Sequence, residues 1–478
     1  MQTATPALPL ILPVADDWPV LWKLADRLSE LGYTEKNVSR SMGLRDHSVR
    51  EQSLWPAHLR RCRQDPEACG RLAAFFLIEE AIARGELEAM LGADVVDLLD
   101  RLFFIDQRDD GRWFFRFYLF PLLDRLFLTD GHISNRNYLD QVYPLGSDSH
   151  SLARMAPRPR KARSLDLCTG SGVHAILAGQ HVQQAFGLDI SPRALDFSRF
   201  NATWNRLENV EFLESDCYEN VTSERLGLQP PLAFDLITAN PPFVPTPETI
   251  SLCRGGGVSG EDVTERIIRG LPEMLAAGGT FSMITNIPHF HDHTFFARCE
   301  NWLEDAAWGM VTLHTYTWSL AAYIASHIKP GQDHWRDFQR WLESYESVGM
   351  VSITNSQVYL FRSRYPWRIE RHCAYPNTSV SHFVEPWLEM IREFAPAGSR
   401  RYRLHPGLEK VWWMEGCSRV YLEWNEEHCW WLPQGRWLDG SAALALRRFR
   451  DHPEGLAGNE IEPEVLAGLL SEHLLTTA

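Results

Sequence analysis

Asn240-Pro241-Pro242-Phe243 sets a carboxamide, two rigid residues and an aromatic ring side by side, directly after the apolar run Phe234-Asp235-Leu236-Ile237-Thr238-Ala239. The run predicts a buried strand, and its ending has a chemical meaning. The Asn240 side-chain oxygen and the Pro241 carbonyl, on a backbone that proline rings restrict, can point the same way. Two such acceptors grip both hydrogens of a planar –NH₂ group, and Phe243 offers a flat face to lay it against. That arrangement suits methylation of an amide or aromatic amine nitrogen. Taken alone, the same residues also fit a strand followed by a Pro-rich turn.

A second motif lies upstream. Ser164-Leu165-Asp166-Leu167-Cys168-Thr169 is a short apolar run, followed by Gly170-Ser171-Gly172 and the helical pattern Val173, Ile176, Leu177. Strand, glycine turn, helix is the form of a nucleotide-cradling loop, since glycine lets the backbone approach a ligand closely. A dinucleotide fold would want a third glycine, which His174 and Ala175 do not supply. The pattern fits S-adenosylmethionine better. Gln184–Asp189 predicts a second strand, ending in an acid placed for a ribose diol. Asn209–Leu213 predicts a third, and Asp216 after it could accept from an adenine amino group. The candidate cofactor contacts are Asp166, Cys168, Thr169, Gly170, Ser171, Gly172, Asp189, Ile190, Asp216, Cys217 and Asn240. The candidate catalytic set is Asn240, Pro241, Pro242 and Phe243. These elements come in the order that a doubly wound sheet requires, with ligand groups at C-terminal strand ends.

These residues resemble a known family, the class I methyltransferases of the HemK/PrmC type, which methylate protein glutamine at N5, and their N6-adenine relatives. Asp166–Gly172 (DLCTGSG) resembles that family's cofactor motif, and Asn240–Phe243 its substrate motif, with Phe in place of the commoner Tyr. Arg254-Gly255-Gly256-Gly257-Val258-Ser259-Gly260-Glu261, opening a helix over Asp262–Leu271, is similar to its glycine-rich segment. The resemblance covers residues 145–363. It implies an α/β fold with a Rossmann-like seven-stranded sheet, S-adenosylmethionine as cofactor, and an amide or amine nitrogen of a protein or peptide as acceptor. The alternatives are methylation of an RNA or DNA base, at N6 of adenine or N2 of guanine, and tailoring of a small molecule or peptide.

The elements that must position these groups fall in three regions: a mainly helical, winged-helix-like domain at 1–145, the methyltransferase domain at 146–363, and a Trp-rich α+β domain at 364–478. In the first, Trp18–Leu31, Ala73–Arg84 and Val95–Leu102 have helical spacing, and Leu102–Asp106 with Trp113–Leu119 predict a hairpin. In the family this domain contacts the protein substrate; a lid packed on the catalytic domain is the plainer reading. Gly146–Ser151 predicts either a small polar loop over the methionine end of the cofactor or a plain linker. Gly279–Thr285, Trp308–Thr315 and Gly349–Phe361 predict further strands, with a helix over Asp333–Tyr345 and an antiparallel final hairpin. Past 364, strands are expected at Val411–Met414, Val420–Trp424 and His428–Leu432, and a helix at Pro463–Leu475. Trp412, Trp413, Trp424, Trp430, Trp431 and Trp437 make either an aromatic binding face or the core of a small domain. The family usually ends with its catalytic domain, so this extension departs from its pattern.

Composition narrows the partners. With 478 residues and 45% hydrophobic content, the chain is globular and too long for one core. A net charge of −15 argues against general affinity for phosphate backbones. The exception is Arg154, Arg158, Arg160, Lys161 and Arg163, interleaved with prolines as in a solvated connector. Nine cysteines without a Cys-x-x-Cys pair fit reduced thiols in a cytoplasm, and no apolar run reaches membrane-spanning length. Met1–Asp17 carries an apolar patch with no preceding cation, so a flexible tail is expected rather than a signal peptide. His289, His291 and His293 alternate on an extended segment and could face one metal. Methyl transfer from a sulfonium needs none, so no metal is expected.

Overall fold

The computed structural model describes residues 10–44, 54–131, 140–247, 253–304, 307–328, 333–395, 398–413, 419–424 and 436–478. The chain divides into two compact units, Met1–Ala153 with Arg160–Glu273, and Arg154–Pro159 with Met274–Ala478.

The first unit opens with α1 (Trp18–Glu30), α2 (Glu35–Met42), α3 (Trp55–Gln64), α4 (Ala68–Leu77), α5 (Arg84–Leu91) and α6 (Ala93–Arg101). α1 buries Leu21, Leu24 and Leu28, one stripe at helical spacing. The helix expected over Ala73–Arg84 breaks after Leu77. Glu79 turns to a φ of 58°, and Ile82 bridges Trp113 instead. The expected single hairpin is two: β1 (Ile105–Gln107) with β2 (Trp113–Phe115), and β3 (Phe117–Leu122) with β4 (Arg125–Asp130). They part at Arg116, whose N–H donates to the Phe104 carbonyl at 2.9 Å.

Next come α7 (Ser147–Met155), β5 (Lys161–Leu167), α8 (Val173–Ala178), β6 (Val182–Asp189), α9 (Pro192–Trp204), β7 (Val210–Glu214), α10 (Ser223–Leu226), β8 (Phe234–Ala239) and α11 (Asp262–Met274). β5 to β8 run parallel in the order β8-β5-β6-β7. Parallel neighbours need crossovers, and α8 and α9 supply two of them. The helical region packs on this half of the fold. Phe104 and Phe117 meet Phe200 and Phe197 of α9 edge to face. Asn201 and Asn205 bond the main chain of β4 at Leu128 and Leu126, completing an edge that would otherwise lack partners.

The second unit holds β9 (Leu275–Phe290), α12 (Phe295–Leu303), β10 (Trp308–Ser319), α13 (Leu320–His327), α14 (His334–Ser347), β11 (Met350–Arg362) and β12 (Arg368–His372). Their order is β12-β10-β11-β9, with β11 antiparallel to both neighbours and β12 parallel to β10. β12 was not among the strands expected from the sequence. It alternates as an edge strand should, with Ile369 buried and Glu370 and His372 exposed.

α15 (Ser381–Arg392), β13 (Arg401–Leu404), β14 (Leu408–Trp413), β15 (Arg419–Trp424), β16 (Arg436–Asp439), α16 (Gly440–Asp451), β17 (Leu456–Ala457), α17 (Pro463–Ser471) and β18 (Leu475–Thr477) complete the second unit. β14, β15 and β16 form a small antiparallel sheet. The strand expected at His428–Leu432, with Trp430 and Trp431, lies outside the described residues, as does Met414. Trp424 is buried in the core with Trp367 and Trp387, whereas Trp437 is exposed. The seven described cysteines are unbridged, and among the described residues no helix is long and apolar enough to cross a membrane.

Candidate active site

The register of the four parallel strands levels their ends. Leu167 of β5 pairs with Leu188 of β6 and with Ala239 of β8, and Asp189 pairs with Glu214 of β7. The glycine turn, Asp189-Ile190, Ser215-Asp216 and Asn240 therefore all leave the sheet from one edge. Strand order reverses between β5 and β8, and ligands of doubly wound sheets bind outside the carboxyl ends at such a point.

Asp166 is buried beneath this edge. Its carboxylate accepts from the hydroxyls of Thr169 (2.6 Å) and Thr238 (2.7 Å) and from the Ala175 N–H. Burial pushes its acidity to about 7, and those three donors keep it from rising further. Asp166 thus ties β5, β8 and the glycine turn together. Cys168 takes a φ of 55°, and burial lifts its thiol well above the usual range, so it stays neutral. A Cβ on Gly170 would meet nothing within 4 Å, which leaves open space over the turn. On Gly172 it would lie 3.0 Å from the Ser198 Cβ. Ser171 is buried, and its carbonyl accepts from Asn201 at 2.8 Å.

Asp189 accepts from the N–H groups of Gly170 (2.8 Å) and Ser191 (2.9 Å), so the acid holds the glycine turn. Burial holds its carboxyl above the usual carboxylate range, against those amide bonds. Each oxygen keeps a further lone pair for a ribose hydroxyl. Ile190 beside it is 50% exposed, an apolar surface on which a purine could lie. The open turn, the acid and the exposed apolar side chain fit S-adenosylmethionine. Asp216 pairs with Arg266 of α11 at 2.9 Å, so any adenine amino group would share it. Cys217, at a φ of 49°, is buried, and desolvation lifts its thiol to about 11.

At the end of β8, Asn240 donates from Nδ2 to the Ser149 hydroxyl at 3.3 Å. Pro241 is buried, and Pro242 and Phe243 are half-buried. Gly146–Ser151 is not a loop: α7 starts at Ser147 and carries the buried Ser149 to this point. The glycine-rich segment lies directly on the Asn240–Phe243 loop. Val244 forms a parallel bridge with Gly255, its N–H donating to the Arg254 carbonyl (2.9 Å) and its carbonyl accepting from Gly256 (3.0 Å). Gly260 has a φ of 81°, and a Cβ there would sit 2.7 Å from the Phe243 carbonyl. Only glycine allows this approach.

Ser149, Thr238 and Arg266 are not among the candidate site residues read from the sequence, although Ser149 lies in the segment Gly146–Ser151 expected over the cofactor. Each meets its partner across a long stretch of chain, and no local spacing signals such a contact. The histidines do not converge: His289 turns to Thr354 (2.7 Å) and His293 to Asp292. Among the described residues, no group of three His, Cys, Asp or Glu is arranged to hold a metal. Within the basic run, Arg160 and Lys161 are exposed and Arg158 and Arg163 half-buried. Arg154 is fully buried and donates to the Pro376 carbonyl, while the Arg158 main chain bonds Glu385.

The methyltransferase small domain family matches residues 145–303. A provisionally named protein N5-glutamine methyltransferase of Methanocaldococcus jannaschii is 30% identical over 151 residues, covering 30% of this chain and 72% of that protein. A ribosomal protein uL3 glutamine methyltransferase of Bradyrhizobium diazoefficiens is 35% identical over 161 residues, 30% of this chain and 47% of its own. For a release factor glutamine methyltransferase of Thermodesulfovibrio yellowstonii the identity is 34% over 130 residues, 24% and 44% of the two chains. The chain thus spans about half the length of the latter two. Fold and relatives together define an S-adenosylmethionine-dependent class I methyltransferase of α/β architecture. Within that class, the chain belongs to the HemK/PrmC-type N-methyltransferase family.

Proposed function

We propose that the protein methylates the side-chain carboxamide of a glutamine in a protein acceptor, within a cytoplasm. The observation that carries this reading is the Asn240–Phe243 loop, pinned by the glycine-rich segment and leaving the sheet from the same edge as the glycine turn and Asp189. The relatives named for uL3 and release-factor methylation, and the net charge of −15, support a protein acceptor over a nucleic acid.

S-adenosylmethionine supplies a methyl group on a sulfonium, whose departure as a neutral thioether needs no acid. The chain's work is alignment and charge stabilisation. Gly170 and Gly172 would shape the cradle, with Thr169, Ser171 and Cys168 in the same turn. Asp189 would take the ribose hydroxyls, Ile190 the adenine face, and Asp216 with Cys217 its amino edge. Asn240 Oδ1 and the Pro241 carbonyl would accept from the acceptor –NH₂, localising a lone pair that amide resonance otherwise spreads. Positive charge grows on the nitrogen as the bond forms, so these bonds strengthen toward the transition state. Pro242 and Phe243 would hold the amide plane, and the proton leaves to water after transfer. Residues 1–145 would act as the acceptor-protein contact region, 146–363 as the catalytic region and 364–478 as a supporting domain.

The test incubates tritiated S-adenosylmethionine with purified uL3 and release factor from the same cells, using wild type and Asn240→Ala. Label in either protein that depends on Asn240 supports the proposal. Label in RNA or only in small molecules overturns it.

A further inference from the structure

We infer that the acceptor segment binds as an extended strand added to the main-chain edge at Gly255. The inference rests on the acceptor role proposed for the Asn240–Phe243 loop and specifies how the protein substrate is held there.

Val244 uses both of its main-chain groups on Arg254 and Gly256, in a parallel bridge with Gly255. In such a pair the middle residue, Gly255, turns its own N–H and C=O to the opposite side. Those two groups bond to nothing among the described residues. Gly255 is half-buried, so a strand could reach it, and Gly256 beside it carries no side chain to stand in the way. The edge is also rigid. The Thr246 N–H donates to the Gly257 carbonyl at 2.9 Å, and the Asp262 N–H, opening α11, donates to the Gly256 carbonyl at 3.1 Å. At Gly260 the segment is pressed on the Phe243 carbonyl, next to the groups proposed to grip the acceptor amide.

A rigid main-chain edge that is unpaired among the described residues, beside the proposed acceptor grip, is the form that strand addition uses. One residue of the acceptor would exchange an N–H···O=C pair with Gly255, as in a hydrogen-bonded antiparallel pair. Such bonds read no side chain. Acceptor choice would then rest on the glutamine carboxamide and on a segment free to extend.

The test uses synthetic peptides tiling uL3, each centred on one glutamine, with tritiated S-adenosylmethionine. For the labelled peptide, methylating each backbone nitrogen in turn should raise KM about tenfold at one residue, with kcat unchanged, as loss of one main-chain bond predicts. Gly255→Pro should raise KM for that peptide similarly while leaving S-adenosylmethionine affinity unchanged, which also reports that the variant folds. Uniform KM across the N-methyl series overturns the inference, as does labelling of whole uL3 with none of its peptides. Failure to label any glutamine, in protein or peptide, instead sinks the acceptor assignment beneath it.

Discussion

Each unit carries a row of polar side chains along its strands, and the two rows are closed differently. In the first unit, Asp166, Asp189 and Asn240 are followed by Gly170–Gly172, Ile190-Ser191 and Pro241-Pro242, so the chain turns away and leaves main-chain groups and open space at the sheet edge. In the second, β11 pairs along β9 and β10 throughout the row, and the side chains bond one another. His289 bonds Thr354, Thr354 meets Thr317 at 2.9 Å, and His314 lies between Ser356 (2.7 Å) and Glu370 (3.4 Å). The imidazoles of His289 and His372 stand 6.3 Å and 5.3 Å from that of His314. Polar residue types at strand ends are thus not enough for a site. What matters is whether the following residues end the strand and leave acceptors unspent.

The sharpest way to break this contrast is Asn240→Ala. Turnover should fall about 100- to 1000-fold, as for loss of one transition-state hydrogen-bonding group. Calorimetry should show S-adenosylmethionine affinity within about twofold of wild type, since the bonds removed are those to the acceptor and to Ser149. Next in size, Asp189→Ala should weaken that affinity about 10- to 100-fold, the loss of bonds to a charged group. Unchanged affinity would remove Asp189 from the cradle.

Asp166 offers a pH test. Its folded acidity is about 7 against an ordinary 3.8. Between those values the folded state binds the extra proton, so stability must fall as pH rises from about 4 to 7 and then level off. Relative to Asp166→Asn, wild type should lose about 2 kcal/mol between pH 5 and 8 by chemical denaturation. A flat difference would mean that the carboxylate is solvated. The smallest effect is expected in the second row. His289→Ala should cost about 1 kcal/mol of stability and leave transfer to a bound acceptor unchanged. An activity loss exceeding the stability loss would make that row part of the site.

Legibility followed local periodicity. The Phe234–Ala239 strand was readable to the residue, because an apolar run bounded by Asn-Pro-Pro has few other ways to fold. Trp18–Leu31 was readable as α1 for the same reason. Ala73–Arg84 was not one helix, since Ile82 gains more by bridging Trp113 than by continuing the coil. The Trp-rich reading divided: Trp424 went to the core, and Trp437 stays exposed. Asp216 was singled out as an adenine acceptor, and its partner Arg266, fifty positions along, was not visible.

By itself the sequence determined the chemistry. Glycines, prolines and a carboxamide at strand ends impose local backbone limits that hold in any context, so the glycine turn and the end of the Phe234–Ala239 strand could be read directly. Tertiary structure alone decided how those pieces meet. Strand register levelled the four ends, α7 brought Ser149 to Asn240, and close packing at Gly260 laid the glycine segment on the Asn240–Phe243 loop. Such contacts join residues far apart in the chain. They follow from which surfaces exclude water together, and no window of sequence encodes that.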